Sequence, residues 1–211
     1  MDKFKALLEV ADHLNGPEGC PWDRKQTFQT LQPYVLEEAH EVVEAVDNNE
    51  DGKIVEELGD LLYTIIFYCK IAEKEKRFCI WDVIEAIREK LIRRHPHVFG
   101  DLKLETAEQV LHKWEHIKAG EKGHAHRKSV LDGIPPTMSS LAKAQKMIRR
   151  ILKTSSAIFS EPIEEATEQE IGEGLIQLAL KAEKSGIDLE SAFRRTLGNY
   201  EKSFRVWEEK Q

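Results

Sequence analysis

Glu57-Leu58-Gly59-Asp60-Leu61-Leu62-Tyr63-Thr64-Ile65-Ile66-Phe67-Tyr68-Cys69 is the stretch on which the reading of the fold turns. From Leu61 to Cys69 it is apolar nearly all round. With Ile54 and Leu58 ahead of it, apolar residues recur at helical spacing. The run therefore predicts a helix from about residue 53, buried on several sides as at the centre of a bundle. Immediately upstream lies Asp47-Asn48-Asn49-Glu50-Asp51-Gly52, rich in residues that reverse a chain. Before it, Pro33 suits the first turn of a helix reaching about residue 47. Further out, Phe4, Leu7, Leu8 and Ala11 predict a short amphipathic helix stopped near Asn15-Gly16-Pro17, followed by a loop over residues 16–26. Residues 82–94 form a helix ended by Pro96, and Thr106 with Gln109 resembles a capping box opening a helix to about residue 118. Residues 119–134 read as a flexible loop, and a helix over 138–152 follows Pro135-Pro136-Thr137. No alternating strand pattern competes, so the expected fold is all-α.

The chain has 211 residues, ample for a buried core. It is 33% charged and 41% hydrophobic, which excludes a disordered chain. A net charge of -7 argues against a nucleic-acid surface, because phosphate backbones want a basic face. Cys20, Cys69 and Cys79 form no CxxC pair and read as reduced thiols. Met1-Asp2-Lys3-Phe4 lacks a signal-peptide pattern and no apolar run is long enough to span a membrane, so a cytoplasmic location with no membrane partner is expected. P-loop, GxGxxG and GxSxG segments are missing, which leaves kinase, dinucleotide-binding and hydrolase-elbow chemistry without support.

Two acidic pairs flank the turn. Glu38 and Glu41, with Glu37 beside them, precede it; Glu57 and Asp60 follow it. Each pair is spaced i, i+3 and lies on one side of its helix. Antiparallel helices would bring four acids face to face, and hard divalent cations prefer such oxygen ligands. Glu-rich helices are most often solvated faces, and acids near a helix start are favoured by the macrodipole without any function. What tips the balance is position. Glu57 and Asp60 abut the apolar run, where solvent should be restricted and unpaired acids would repel. Lys53 lies one turn before Glu57, and Lys90 and Arg94 share a helix face, although alone they would read as ordinary surface charges. Acids for a metal and bases for phosphate are the division of labour of phosphoryl transfer.

Glu37-Glu38-Ala39-His40-Glu41 followed after fifteen residues by Glu57-Leu58-Gly59-Asp60 resembles the EExxE…ExxD signature of MazG-type nucleoside triphosphate pyrophosphohydrolases. The flanks carry the likeness further: Gly19-Cys20-Pro21-Trp22-Asp23, Gln26-Thr27-Phe28, Lys90-Leu91-Ile92-Arg93-Arg94-His95-Pro96-His97-Val98-Phe99 and Trp114-Glu115-His116-Ile117-Lys118. The resemblance implies Mg²⁺-dependent hydrolysis of a nucleoside triphosphate to the monophosphate and pyrophosphate, with Mn²⁺ as a substitute metal. It implies that Glu38, Glu41, Glu57 and Asp60 hold the metal, and that Glu37 or Glu38 activates water. By the same resemblance Lys53, Lys90 and Arg94 neutralise the phosphates, while Trp22 and Gln26 face the base or sugar; Trp22 could equally anchor a core beside Pro21. It further implies a helical bundle completed by homodimerisation, and a role in clearing surplus or non-standard nucleotides.

A weak internal repeat pairs Glu57-Leu58-Gly59-Asp60-Leu61-Leu62 with Glu170-Ile171-Gly172-Glu173-Gly174-Leu175. The second copy lacks the cations that align with Lys90 and Arg94. The expected organisation is a catalytic domain at 1–118, a linker loop and connecting helix at 119–152, and a shortened, degenerate second repeat at 153–211. The rival reading is a non-catalytic helical module that senses nucleotide or binds a protein, its metal site vestigial. His112-Lys113-Trp114-Glu115-His116 also matches HxxEH, but Val110, Leu111, Trp114 and Ile117 give that segment the look of a packing helix.

Overall fold

The structure, a computed structural model, describes residues 3–121, 127–154 and 165–210. Among them no strand occurs, and the all-α expectation holds. The helices are α1 (Lys3–Asn15), α2 (Gln32–Asp47), α3 (Asp51–Lys74), α4 (Ile80–Arg94), a short α5 (Pro96–Phe99), α6 (Ala107–Ala119), α7 (Ser140–Thr154), α8 (Glu168–Lys184) and α9 (Leu189–Glu208), with a 3₁₀ turn at Asp23–Lys25. The chain divides into two compact units, residues 1–115 and 116–211. No helix among the described residues is long and apolar enough to cross a membrane.

In the first unit α2 and α3 form an antiparallel hairpin packed along its length. The reversal is tight because Asn49 takes a left-handed conformation, φ 55°, which Asn tolerates better than most side chains. The Asn48 and Glu50 amides then close back onto the carbonyls of Glu44 and Ala45. Ala45 is buried on α2, and its small side chain lets the helices approach. The other end of α3 is the core. Leu8, Ala11, Ile66, Cys69 and Ile80 bring α1, α3 and the start of α4 together, and Leu31, Phe67 and Ile71 close the start of α2 onto α3. Lys70, its side chain 9% exposed, ties α3 to α1 through Asp12 at 2.7 Å and to Glu73 at 2.8 Å.

The 61–69 run is buried on several sides, as expected, but not on all: Thr64, Ile66, Phe67 and Cys69 are buried, whereas Leu62 and Ile65 remain 39% and 40% exposed. Within a single chain α1, α2 and the first turn of α4 cover only part of the circumference of α3, which leaves an apolar stripe open.

In the second unit α7 packs on α9 through Leu131, Ala144, Met147, Ile151, Leu197 and Phe204. The part of the expected flexible loop that is described is pinned. Asp132 accepts from the Lys128 and Ser129 amides and pairs with Arg205 at 2.7 Å, while Arg150 donates to the Val130 and Asp132 carbonyls. Glu170, one of the repeat's acids, caps α8. Its carboxylate accepts from the Thr167 amide at 2.8 Å while the Thr167 hydroxyl accepts from the Glu170 amide.

Candidate metal centre

The α2–α3 hairpin sets Glu38 and Glu41 opposite Glu57. One carboxylate oxygen from each lies within 4.8 Å of the others, so a single cation could touch all three. Glu38 and Glu57 are half-buried and Glu41 is exposed. Asp60 stands outside that triad and is exposed, yet its charge acts on both Glu38 and Glu57.

The electrostatics are those of an uncompensated anion cluster. Burial, then the charges of Asp60, Glu41, Glu57 and Glu37, push the Glu38 carboxyl above its ordinary pKa. Partial desolvation comes first for Glu57 too, followed by Glu41, Glu56 and Asp60, and a hydrogen bond to Glu41 raises it further. Each of these influences disfavours the charged form, so bringing the acids together carries an electrostatic cost that a cation would relieve. Every charge acting on Glu38 and Glu57 is an acid. Such a donor set fits a hard divalent ion.

Two of the three expected cations, Lys53 and Arg94, have partners away from the acids. Lys53 pairs with Glu50 at 3.9 Å, both largely exposed. The Arg94 guanidinium sits over the Trp114 ring, 5.2 Å from its centroid, and Lys90 is exposed. α4 meets α3 near Ile80 and shares few contacts with it beyond, so its later turns, which carry Lys90 and Arg94, are not among the groups that shift the acids. His95 ends α4 with its Nδ1 2.6 Å from the Leu91 carbonyl oxygen, a helix-terminal role. The side chains of His112, Glu115 and His116, which carry the HxxEH match, lie outside the described residues.

Trp22 reaches the hairpin on a loop with a demanding geometry. A Cβ at Gly19 would collide with the backbone carbonyls of His13 and Leu14, so only glycine lets the chain fold back onto the end of α1, where the Cys20 amide donates to the Leu14 carbonyl at 2.8 Å. The 3₁₀ turn follows. Trp22 is then set edge-on to Tyr34 of α2, centroids 5.6 Å apart at 84°, and 6.5 Å from Phe67 of α3. The Gln26 side-chain amide donates to the Trp22 carbonyl at 3.1 Å and braces the turn. Tyr34 is a residue that linear reading missed. Its only trace in the sequence is register: it precedes Glu38 by four residues and Glu41 by seven, so the three share a face of α2.

Residues 26–99 match the model of the MazG nucleotide pyrophosphohydrolase domain. The chain is 37% identical over 227 aligned residues to the nucleoside triphosphate pyrophosphohydrolase/pyrophosphatase MazG of Thermotoga maritima, covering 98% of this chain and 86% of that one. It is 44% identical to the nucleoside triphosphate pyrophosphohydrolase of Escherichia coli (strain K12) over 71% of this chain, and 44% identical to the uncharacterized protein YabN of Bacillus subtilis (strain 168) over 69%. The chain spans 57% of the Escherichia coli protein and 29% of YabN.

Proposed function

The chain belongs to the MazG nucleotide pyrophosphohydrolase family, and from that premise we propose that its first unit hydrolyses nucleoside triphosphates to the monophosphate and pyrophosphate. Glu38, Glu41, Glu57 and Asp60 hold Mg²⁺, or Mn²⁺ in its place. The observation that carries this reading is the convergence of three carboxylates within reach of one cation, with two of them raised by burial and mutual repulsion. A structural role for these acids would favour a paired or solvated arrangement; a cluster of mutually repelling carboxylates is poised to bind a cation.

When bound, the cation supplies positive charge for the phosphate oxygens and acidifies water. The chain's own groups do the rest. Glu37 or Glu38, adjacent on α2, takes the proton as water attacks the α-phosphorus. The new P–O bond forms as the bond to the bridging oxygen breaks, and pyrophosphate leaves with that oxygen. Lys53, Lys90 and Arg94 neutralise the phosphate chain; each is a long side chain on a helix of the first unit, and binding of substrate would draw Lys53 from Glu50 and Arg94 from Trp114.

Homodimerisation is part of the proposal. Leu36, Val43 and Val46 on α2, and Val55, Leu58, Leu62 and Ile65 on α3, are all exposed. With Ala39 they repeat at spacings of three and four residues on both helices, the seam by which helices pack against other helices. A second copy offering the same seam would complete a four-helix bundle. The physiological reading is removal of surplus or non-standard nucleotides in the cytoplasm.

Pyrophosphate release over a panel of nucleoside triphosphates, with and without Mg²⁺, tests the reading. Glu38→Gln and Glu57→Gln should each abolish release and leave the helical circular dichroism intact. Activity that persists in both variants would sink the metal assignment, and no release from the wild type would favour the sensing module.

A further inference from the structure

Two edge-on aromatic pairs of the first unit keep a tryptophan in solvent: Phe4–Trp81, between α1 and the start of α4, and Trp22–Tyr34, which alone of the two lies on the α2–α3 hairpin that carries the acids. Tyr63, Phe67, Phe28 and Tyr68 interlock as part of the core, and Phe67 is 4% exposed. Trp22, tilted 6.5 Å from Phe67, and its neighbour Tyr34 keep 49% and 36% of their surface in solvent. The two ring planes stand at 84° with both residues still partly in solvent, which makes an L-shaped aromatic corner. The corner is also rigid. Phe67 supports Trp22 from below, the Gln26 amide holds its carbonyl, and the backward turn at Gly19 leaves the loop little freedom.

Its place relative to the acids is set by helix register. Tyr34 lies about 6 Å along the α2 axis from Glu38 and about 10 Å from Glu41, on the same face. Phe67 lies two turns beyond Asp60 on α3. The corner therefore closes the end of the α2–α3 face opposite the 48–50 turn, with the carboxylates between. A planar aromatic group attached to a phosphate chain held at the acids would meet these rings.

Resting on the nucleotide reading above, we infer that Tyr34 is a specificity-determining residue, one wall of an aromatic corner with Trp22 that stacks the nucleobase and so selects nucleotides over bare polyphosphate. Stacking is tolerant of base identity because every base has a π-face. The corner thus predicts a broad panel of accepted bases and strong rejection of a substrate with none.

The test compares a nucleoside triphosphate with inorganic tripolyphosphate, which offers the phosphate chain alone. Tyr34→Ala should raise KM for the nucleotide roughly tenfold, the effect of losing one base–aromatic stack. kcat should stay within about twofold, and Tyr34→Phe should restore KM, since the ring and not the hydroxyl does the stacking. Turnover of tripolyphosphate should not change. Equal losses on both substrates, or failure of phenylalanine to restore KM, would overturn the inference and make the pair a structural seal. A second readout needs no turnover. In metal-free protein a nucleoside, which brings no phosphate for the acids to repel, should quench the part of the tryptophan emission that Trp22→Phe removes, and Tyr34→Ala should weaken that quenching. Quenching in a wild type that releases no pyrophosphate would reject the catalytic reading and keep the corner; release of pyrophosphate without any such quenching would do the reverse.

Discussion

At Glu57 and Glu38 the acids are held where their charged forms are disfavoured, and the consequence for stability has a definite sign. Each folded-state pKa is raised above the ordinary value, by desolvation first and by neighbouring acids next. Between the ordinary carboxylate pKa and the raised one, the folded metal-free chain therefore binds more protons than the unfolded chain. Stability must fall as pH rises through that window, and the penalty is complete above it. Asp82, Asp132 and Glu170 are lowered by hydrogen bonds and act in the opposite sense. The clean measurement is thus a difference. Urea denaturation in chelator should show Glu57→Gln gaining stability relative to wild type as pH rises from the acid side to neutrality. Added Mg²⁺ should stabilise wild type and leave Glu57→Gln unmoved, with the metal's effect growing as those carboxyls lose their protons. A flat difference across pH would mean that the cluster is screened and carries no strain.

The two copies of the repeat show how little a pattern says without its element. Glu57 and Glu170 align in the sequence, but Glu57 sits in the second turn of α3 facing Glu41, and Glu170 sits at the first turn of α8 capping its own helix. One is raised by other acids and the other lowered by amide donors. Thr167→Ala should cost about 1 kcal/mol in the second unit, the ordinary value of a lost N-cap, seen as a lower thermal midpoint with no change in Mg²⁺ binding. Gly19→Ala belongs to the first unit. A methyl there strikes backbone carbonyls that cannot step aside, and the expected loss is about 1–3 kcal/mol in urea denaturation, with Trp22 emission shifted as the loop moves. The hairpin and its acids were legible because i, i+3 spacing and an Asn-rich turn are local signals. The corner was not, because Trp22 and Tyr34 meet across a loop whose path depends on one glycine. Nor was the place of the cations: spacing puts Lys90 and Arg94 on one face of α4, but only packing decides how far α4 follows α3. The 61–69 run was legible as a helix buried on several sides, but its composition, apolar nearly all round, cannot report which side its own chain leaves open.

For the whole molecule, the packing of α7 on α9 decides where the chain can be cut. Ending it near residue 153 would strip Met147 and Ile151 of Leu197 and Phe204, so loss of solubility there would say nothing about catalysis. Ending it after α6 leaves the first unit's core whole, and on the proposed reading that shorter chain keeps pyrophosphate release. The exposed seam supplies the remaining argument. A large aliphatic side chain moved from water into a packed interface contributes roughly 1.5–3 kcal/mol, and even partial burial of Leu36, Val43, Val55, Leu58, Leu62 and Ile65 in both copies would outweigh the cost of association. Leu62 lies at the middle of the α3 stripe, one turn from Leu58 and Ile65, on the side of the helix that α1 and α2 leave open. Wild type should sediment as a dimer or larger assembly, and Leu62→Glu should sediment as a monomer that keeps its helical content, because a carboxylate there is solvated in one chain and desolvated between two. Mg²⁺ binding to that monomer then separates two designs. Retained affinity means that the three carboxylates of one hairpin suffice, whereas loss of affinity together with dimerisation means that the acids reach their binding geometry only when a second hairpin stiffens the first. A wild type that stays monomeric across its soluble range would reject the seam as a self-association surface.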